Sequence, residues 1–252
     1  ARGRSKMSQN NQNQSRELAH RVFAPEFNDS THTFRETDDE MAPVYALLPT
    51  GQKANRVFFV GTLTETNNVG DKEDYWQGRI VDPTGTVFVY AGQYQPEAEK
   101  FLREANPPIF VAVTGKPRTY ETDNGEVNVS LRPEYISEVT EATRQRWITE
   151  TAAQTLDRIE AFDNASDPYV QMAREEYDGD LDRYRQTVIT ALESLDDTDI
   201  QQTQSNSKVD SNNGSETQSN AEPEGTATSS DDPDSSTKVD EKDSLGSFND
   251  GN

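Results

Sequence analysis

The sequence predicts an all-β five-stranded Greek-key barrel, followed by a small α-helical region and a disordered acidic C-terminal tail. Three observations carry this. Between residues 56 and 138, five short runs of β-branched and aromatic residues are separated by turn signals, with one amphipathic helix after the third run. Beyond residue 140 the apolar period changes from two to 3.6. Beyond residue 196 apolar residues nearly vanish while acids accumulate.

Taken in order, RVFFVGTLT (56–64) reads as the first barrel strand, and RIV (79–81) and TVFVYA (86–91) as a hairpin across Asp82-Pro83-Thr84-Gly85. In that turn proline presets one φ and glycine is expected to accept a positive φ. A helix opens at Gln95-Pro96-Glu97, places Ala98, Phe101, Leu102 and Ala105 on one face, and stops at Pro107-Pro108. IFVAVTGK (109–116) and VNVSLRPEYI (127–136) complete the set, joined by a hairpin around Asp123-Asn124-Gly125. Three strands, a helix and two strands is the order of an OB-type barrel, whose loops at 67–74 and 119–126 are the two that commonly close over a ligand.

The flanks divide the chain further: 1–14 disordered, 15–50 an N-terminal helix and extended arm, 51–139 the barrel, 140–195 the helical region, and 196–252 the tail. The N-terminal helix is expected from Ser15, with Leu18, Ala19, Val22 and Phe23 on one side and Pro25 ending it. The apolar run 42–48 reads as an extra strand along the barrel or an extended arm. Thr140 can cap a helix bearing Trp147, Ile148, Ala152, Leu156 and Ile159 as one apolar stripe. Either this helix packs on the two that follow, opening at Asp167-Pro168 and at Asp180 across a break at Gly179, or the stripe meets helices of a partner subunit.

Composition removes several function classes. There is no cysteine, so disulfides, thiolate metal sites and cysteine nucleophiles are out. No apolar run is long enough for a membrane span, and the Asn- and Gln-rich N-terminus is no signal peptide, so a soluble cytoplasmic protein without a membrane partner is expected. His20 and His32 lack a second ligand or serine partner nearby in sequence, and neither phosphate-binding glycine motif occurs. No enzyme activity and no cofactor are expected. The net charge is −22, and fourteen acids against Lys208, Lys238 and Lys242 put half of it beyond residue 195. That tail reads as a solvated segment; its alternatives are a competitor for a basic groove or a recruiter of proteins through Leu245 and Phe248.

VDPTGTVFVYAGQY (81–94), the helix after it, and IFVAVTGKP (109–117) resemble the OB domain of replication protein A subunits. The likeness is greater to the replication protein A associated proteins of halophilic archaea, in RVFFVGTLTE, VDPTG, VYAGQYQPEA and GKPRTYETD, and it spans about 15–159. Eight lysines against sixteen arginines in an acidic chain suit a protein that works in concentrated salt. The resemblance implies a partner of a replication protein A large subunit, acting on single-stranded DNA in replication, repair and recombination and associated with the nucleoid.

Single strands are held in such barrels by bases stacked on aromatic rings and by cations along the phosphates. Strand parity puts Val87, Val89 and Ala91 on one side and Phe88 and Tyr90 on the other; if the aliphatic side is core, the two rings face a groove. Tyr75 and Arg79 share the corresponding side of the preceding strand unless a bulge exchanges them with Trp76. Lys116, Arg118, Tyr120 and Arg132 gather around the last hairpin. The alternative for each ring is a place in the core. Against DNA stands the charge of 56–139, thirteen acids to eight bases, so weak binding alone, strengthened beside a DNA-binding partner, is expected. The competing reading is an assembly subunit that holds proteins and leaves DNA alone.

Overall fold

The computed structural model describes residues 17–210, with side chains through residue 196. Its elements in chain order are β1 (His20–Arg21), α1 (Ala24–Asp29), β2 (Thr33–Phe34), β3 (Tyr45–Leu47), β4 (Lys53–Ala54), β5 (Val57–Asn68), β6 (Tyr75–Asp82) and β7 (Gly85–Gly92). Then come α2 (Pro96–Glu104), β8 (Ile109–Glu121), β9 (Val127–Glu138), α3 (Glu141–Ala161), α4 (Pro168–Glu176) and α5 (Asp182–Asp210). Strands β5 to β9 are the predicted OB barrel. β5, β6 and β7 form an antiparallel meander, β8 and β9 a hairpin, and β8 returns to β5 from Val57↔Gly115 to Leu63↔Ile109 to close the sheet. A single parallel pair, Val89 with Leu131, joins β7 to β9.

Alternation along the strands builds the interior. Val57, Phe59 and Leu63 of β5, Ile80 of β6, Val87, Val89 and Ala91 of β7, and Val111 and Val113 of β8 are fully buried together with Leu131 of β9. Ala98 and Leu102 of α2 enter the same core, as the spacing of that helix predicts. Each buried Val, Leu, Ile or Phe among them contributes about 1.5–3 kcal/mol by leaving water. The core does not stop at the barrel. Val22, Phe23, Phe27 and Leu48 from the N-terminal arm and Trp147, Ile148, Ala152, Val188 and Ala191 from the helices belong to one continuous cluster with it.

Four sequence expectations change. Pro25 lies in the first turn of α1 rather than at the end of a helix, and residues 20–21 before it pair with β5 as a strand. Proline has no N–H to lose there, which suits a first turn better than a last one. Gly85 takes no positive φ; it opens β7, and a Cβ on it would come within 3.1 Å of the Ala24 Cβ, so the glycine serves the docking of α1. The turn is held instead by Asp82 Oδ1, which accepts from Thr84 N, Thr84 Oγ1 and Gly85 N at 2.7–2.8 Å. The run 42–48 supplies β3 to a separate three-stranded sheet with β2 and β4. The fourth change is the α3 stripe. Trp147 sits edge-on to Phe23 and Phe59 at 5.6 and 5.2 Å and donates Nε1–H to Phe58 O at 3.2 Å.

Ile148, Ala152 and Ile159 are likewise buried within the chain, and of the five stripe residues only Leu156, 45% exposed, faces outward. Trp147, Ile148 and Ala152 thus pack within the chain, in one cluster with the barrel, the arm and Val188 and Ala191 of α5, an intramolecular docking that needs no association entropy. Asp167 caps α4 through Tyr169 N and Val170 N, and Gly179, at φ +73°, separates α4 from α5 as its position predicts. α5 continues to Asp210, past the Leu195 boundary; segments 1–14 and 211–252, including Leu245 and Phe248, lie outside the described residues. No helix among the described residues is long and apolar enough to cross a membrane.

Candidate functional site

Strand parity, anchored by the buried Val87, Val89 and Ala91, turns Tyr75, Gln77 and Arg79 of β6 and Phe88 and Tyr90 of β7 to the outer face of the barrel. The bulge that would have exchanged the faces lies in β5, between Leu63 and Glu65. Trp76 stays on the core side, packed against the cluster. Gln77 is opposite Tyr90 and Arg79 opposite Phe88, and Gln77 Nε2–H donates to the Tyr90 hydroxyl at 2.5 Å.

Tyr75 is set down on this face by its neighbours. The loop before it is pinned by Asn68, whose Oδ1 accepts from Gly70 N and Tyr75 N while its Nδ2 donates to Asp74. Opposite Tyr75 stands Gly92, where a Cβ would come within 2.8 Å of Tyr75 Cδ2. The bare backbone lets the ring lie across β7 and stack on Tyr90, centroids 5.7 Å apart and planes 19° off parallel.

The β8–β9 hairpin brings the rest. Lys116, Arg118 and Tyr120 alternate along β8 opposite Arg132, Ser130 and Asn128. The Tyr120 hydroxyl reaches that of Tyr90, and burial, with Tyr90 second, raises the Tyr120 pKa. Burial and Tyr90 also raise that of Tyr75, against the opposing charge of Arg132. Arg132 itself is held below the usual guanidinium value by burial and by Arg118 beside it, so cations are crowded here. The Arg79 guanidinium donates to the hydroxyls of Thr64 and Thr86, each at 3.4 Å.

None of Arg79, Lys116, Arg118 and Arg132 forms an ion pair with a carboxylate among the described residues, although acids outnumber bases across the chain. Three tyrosine rings, two of them nearly half exposed (Tyr75 45%, Tyr120 44%), therefore share one face with four cations that form no ion pair among the described residues, Glu134 acting on Arg132 only at longer range. Such a face can stack planar rings and balance anions between them. All eight groove residues named from sequence, Tyr75, Arg79, Phe88, Tyr90, Lys116, Arg118, Tyr120 and Arg132, belong to it. Two others join them: Gln77, which strand parity puts on the side of Tyr75 and Arg79 and which orients the Tyr90 hydroxyl, and Tyr94, an 84% exposed ring just past Gly92. The parity of β6 gives the face of Gln77 but not its role; nothing in the pattern marks Tyr94, which follows the end of its strand.

The histidines lie elsewhere. His20 is held below its ordinary pKa by burial and by Arg158, and His32 pairs with Glu176 at 3.1 Å.

The sequence matches no protein-family model and no curated protein. Among solved structures, the S. pombe Stn1-ten1 complex aligns with 64% of this chain and 100% of the matched one, at a TM-score of 0.45 and 11% identity. The S. cerevisiae mitochondrial single-stranded DNA binding protein Rim1 aligns with 34% of this chain and 94% of its own, at 0.28 and 18%. A small single-stranded DNA binding protein from Mycoplasma pneumoniae aligns with 33% and 91%, at 0.28 and 19%.

Proposed function

We propose that this chain binds single-stranded DNA on the outer face of β6–β9, with bases on Tyr75, Tyr90, Tyr120 and Phe88 and phosphates along Arg79, Lys116, Arg118 and Arg132. The observation that carries the reading is the stacked, partly exposed tyrosine cluster beside Arg79, Lys116, Arg118 and Arg132, none of which forms an ion pair among the described residues. Stacking is tolerant of base identity because every base has a π-face, so little sequence preference is expected. The barrel's acid excess weakens long-range attraction, and at high ionic strength counterion release adds little, so the rings carry most of the affinity.

In the finer reading the chain is a smaller subunit of a replication protein A-type complex, serving replication, repair and recombination beside a large subunit. Support for this comes from the motif resemblance across residues 81–117, and the second binding module would raise a weak affinity through effective concentration. Because the α3 stripe is occupied within the chain, the large subunit would be met on another surface. The test is fluorescence anisotropy of labelled oligo-dT in concentrated KCl, with the protein alone and with the large subunit. Binding that falls on Tyr90→Ala supports the reading; no binding alone and no gain over the partner replaces it with an assembly role.

A further inference from the structure

Beyond the hairpin face, between the start of α2 and β9, lies an open cavity of about 550 Å³ walled by Tyr94, Pro96, Arg132, Pro133 and Glu134. Arg132 belongs to both places. It lines the cavity, and it is close enough to Tyr75 and Arg118 to perturb and be perturbed by their charge. Tyr94 comes two residues after Gly92, the register partner of Tyr75, and lines this cavity together with Arg132.

We propose that the single-strand path continues past Arg132 to a base-stacking subsite on Tyr94. Its ring is large, apolar and 84% exposed beside the Arg132 guanidinium, which forms no ion pair among the described residues, the arrangement in which an aromatic face is open to a planar partner. The charges around it sort the parts of a nucleotide. Glu134 is neutralised by Arg56, with Nε–Oε2 at 2.5 Å and Nη2–Oε1 at 3.0 Å. Glu97 also lines the cavity without an ion pair among the described residues. Phosphate is repelled from that wall and drawn to Arg132, which leaves the cavity to the uncharged base. The ligand class is a nucleobase of a single strand, with no requirement for its identity. This inference rests on the outer face being a single-strand site.

The test is a length series of oligo-dT, from about 4 to about 16 nucleotides, read by anisotropy for wild type, Tyr94→Ala and Tyr90→Ala. Tyr94→Ala is expected to match wild type on the shortest strands that bind and to lose about five-fold or more in affinity on longer ones, reaching its plateau at a shorter length. Tyr90→Ala is expected to weaken binding at every length. Identical length curves for wild type and Tyr94→Ala, with Tyr90→Ala still weakened, overturn the subsite alone. Absence of wild-type binding at every length overturns the single-strand reading and the subsite with it.

Discussion

The Arg158 guanidinium holds the Glu26 carboxylate inside the fold, Nη2–Oε2 at 2.6 Å and Nε–Oε1 at 3.1 Å, across 132 residues of chain. Both side chains are buried, and the hydroxyls of Thr50 and Thr155 complete their hydrogen bonds. The pair ties α3 to α1 and the segment before β4. Removing one partner strands the other charge in a low-dielectric interior, so Arg158→Met should cost about 3–5 kcal/mol in urea denaturation. Glu26→Leu combined with Arg158→Met should recover most of that loss; a double variant as unstable as the single one would show that the charges are not coupled.

A second long-range tie is Asp82 Oδ2, which accepts from Ala24 N at 2.9 Å and so caps α1 from the β6–β7 turn. Asp82→Ala leaves the N–H groups of Ala24, Thr84 and Gly85 without their acceptor, each worth about 1–3 kcal/mol if it stays buried. Amide exchange should accelerate in α1 and in the turn well before it does in β8. Uniform acceleration would mean that Asp82 supports the barrel as a whole.

Gly92 sets the position of the Tyr75 ring, because any side chain there meets Cδ2. Gly92→Ala should therefore lower oligo-dT affinity about as much as Tyr75→Ala does, while the thermal midpoint moves little. Unchanged affinity in Gly92→Ala would show that the stack on Tyr90 is not needed for binding.

Phosphate contacts and ring contacts respond differently to salt. Arg118→Ala or Lys116→Ala should reduce the slope of log K against log salt by about 0.7 each, the single-strand value for one contact. Tyr90→Ala should lower K while leaving the slope in place. Equal slopes in all three variants would remove these two cations from the phosphate path.

Tyr177 links the end of α4 to the small sheet: its hydroxyl donates to Leu47 O at 2.7 Å and accepts from His32 N at 3.1 Å. Burial, with Glu176 adding to it, pushes its pKa up from 10.0 to about 12. A phenol whose pKa is higher folded than unfolded contributes fully below pH 10 and loses that contribution as pH rises to about 12. Alkaline denaturation of Tyr177→Phe should be shallower than wild type across that window, with lower stability at neutral pH. Parallel curves would show that Tyr177 does not report folding.

Much of this molecule follows from local chemistry. The period of two in β5 to β9, the proline and acids that open α2, and the glycine break before α5 act over a few residues, so the barrel order and the outward set Tyr75, Arg79, Phe88, Tyr90 are legible from the chain alone. Tertiary structure decided what those surfaces do with one another. The α3 stripe is equally apolar whether it meets a partner or the same chain, and only the presence of Phe23 and Phe59 beside Trp147 assigns it to the interior. Pro25 is compatible with either end of a helix until Asp82 supplies the acceptor for Ala24 N, 58 residues from it in the chain. The stack of Tyr75 on Tyr90 depends on cross-strand register with Gly92, and the exposure of Tyr94 on where α2 leaves the sheet. Periodicity reports which face a residue is on; which face meets which is settled by packing between segments far apart in the chain.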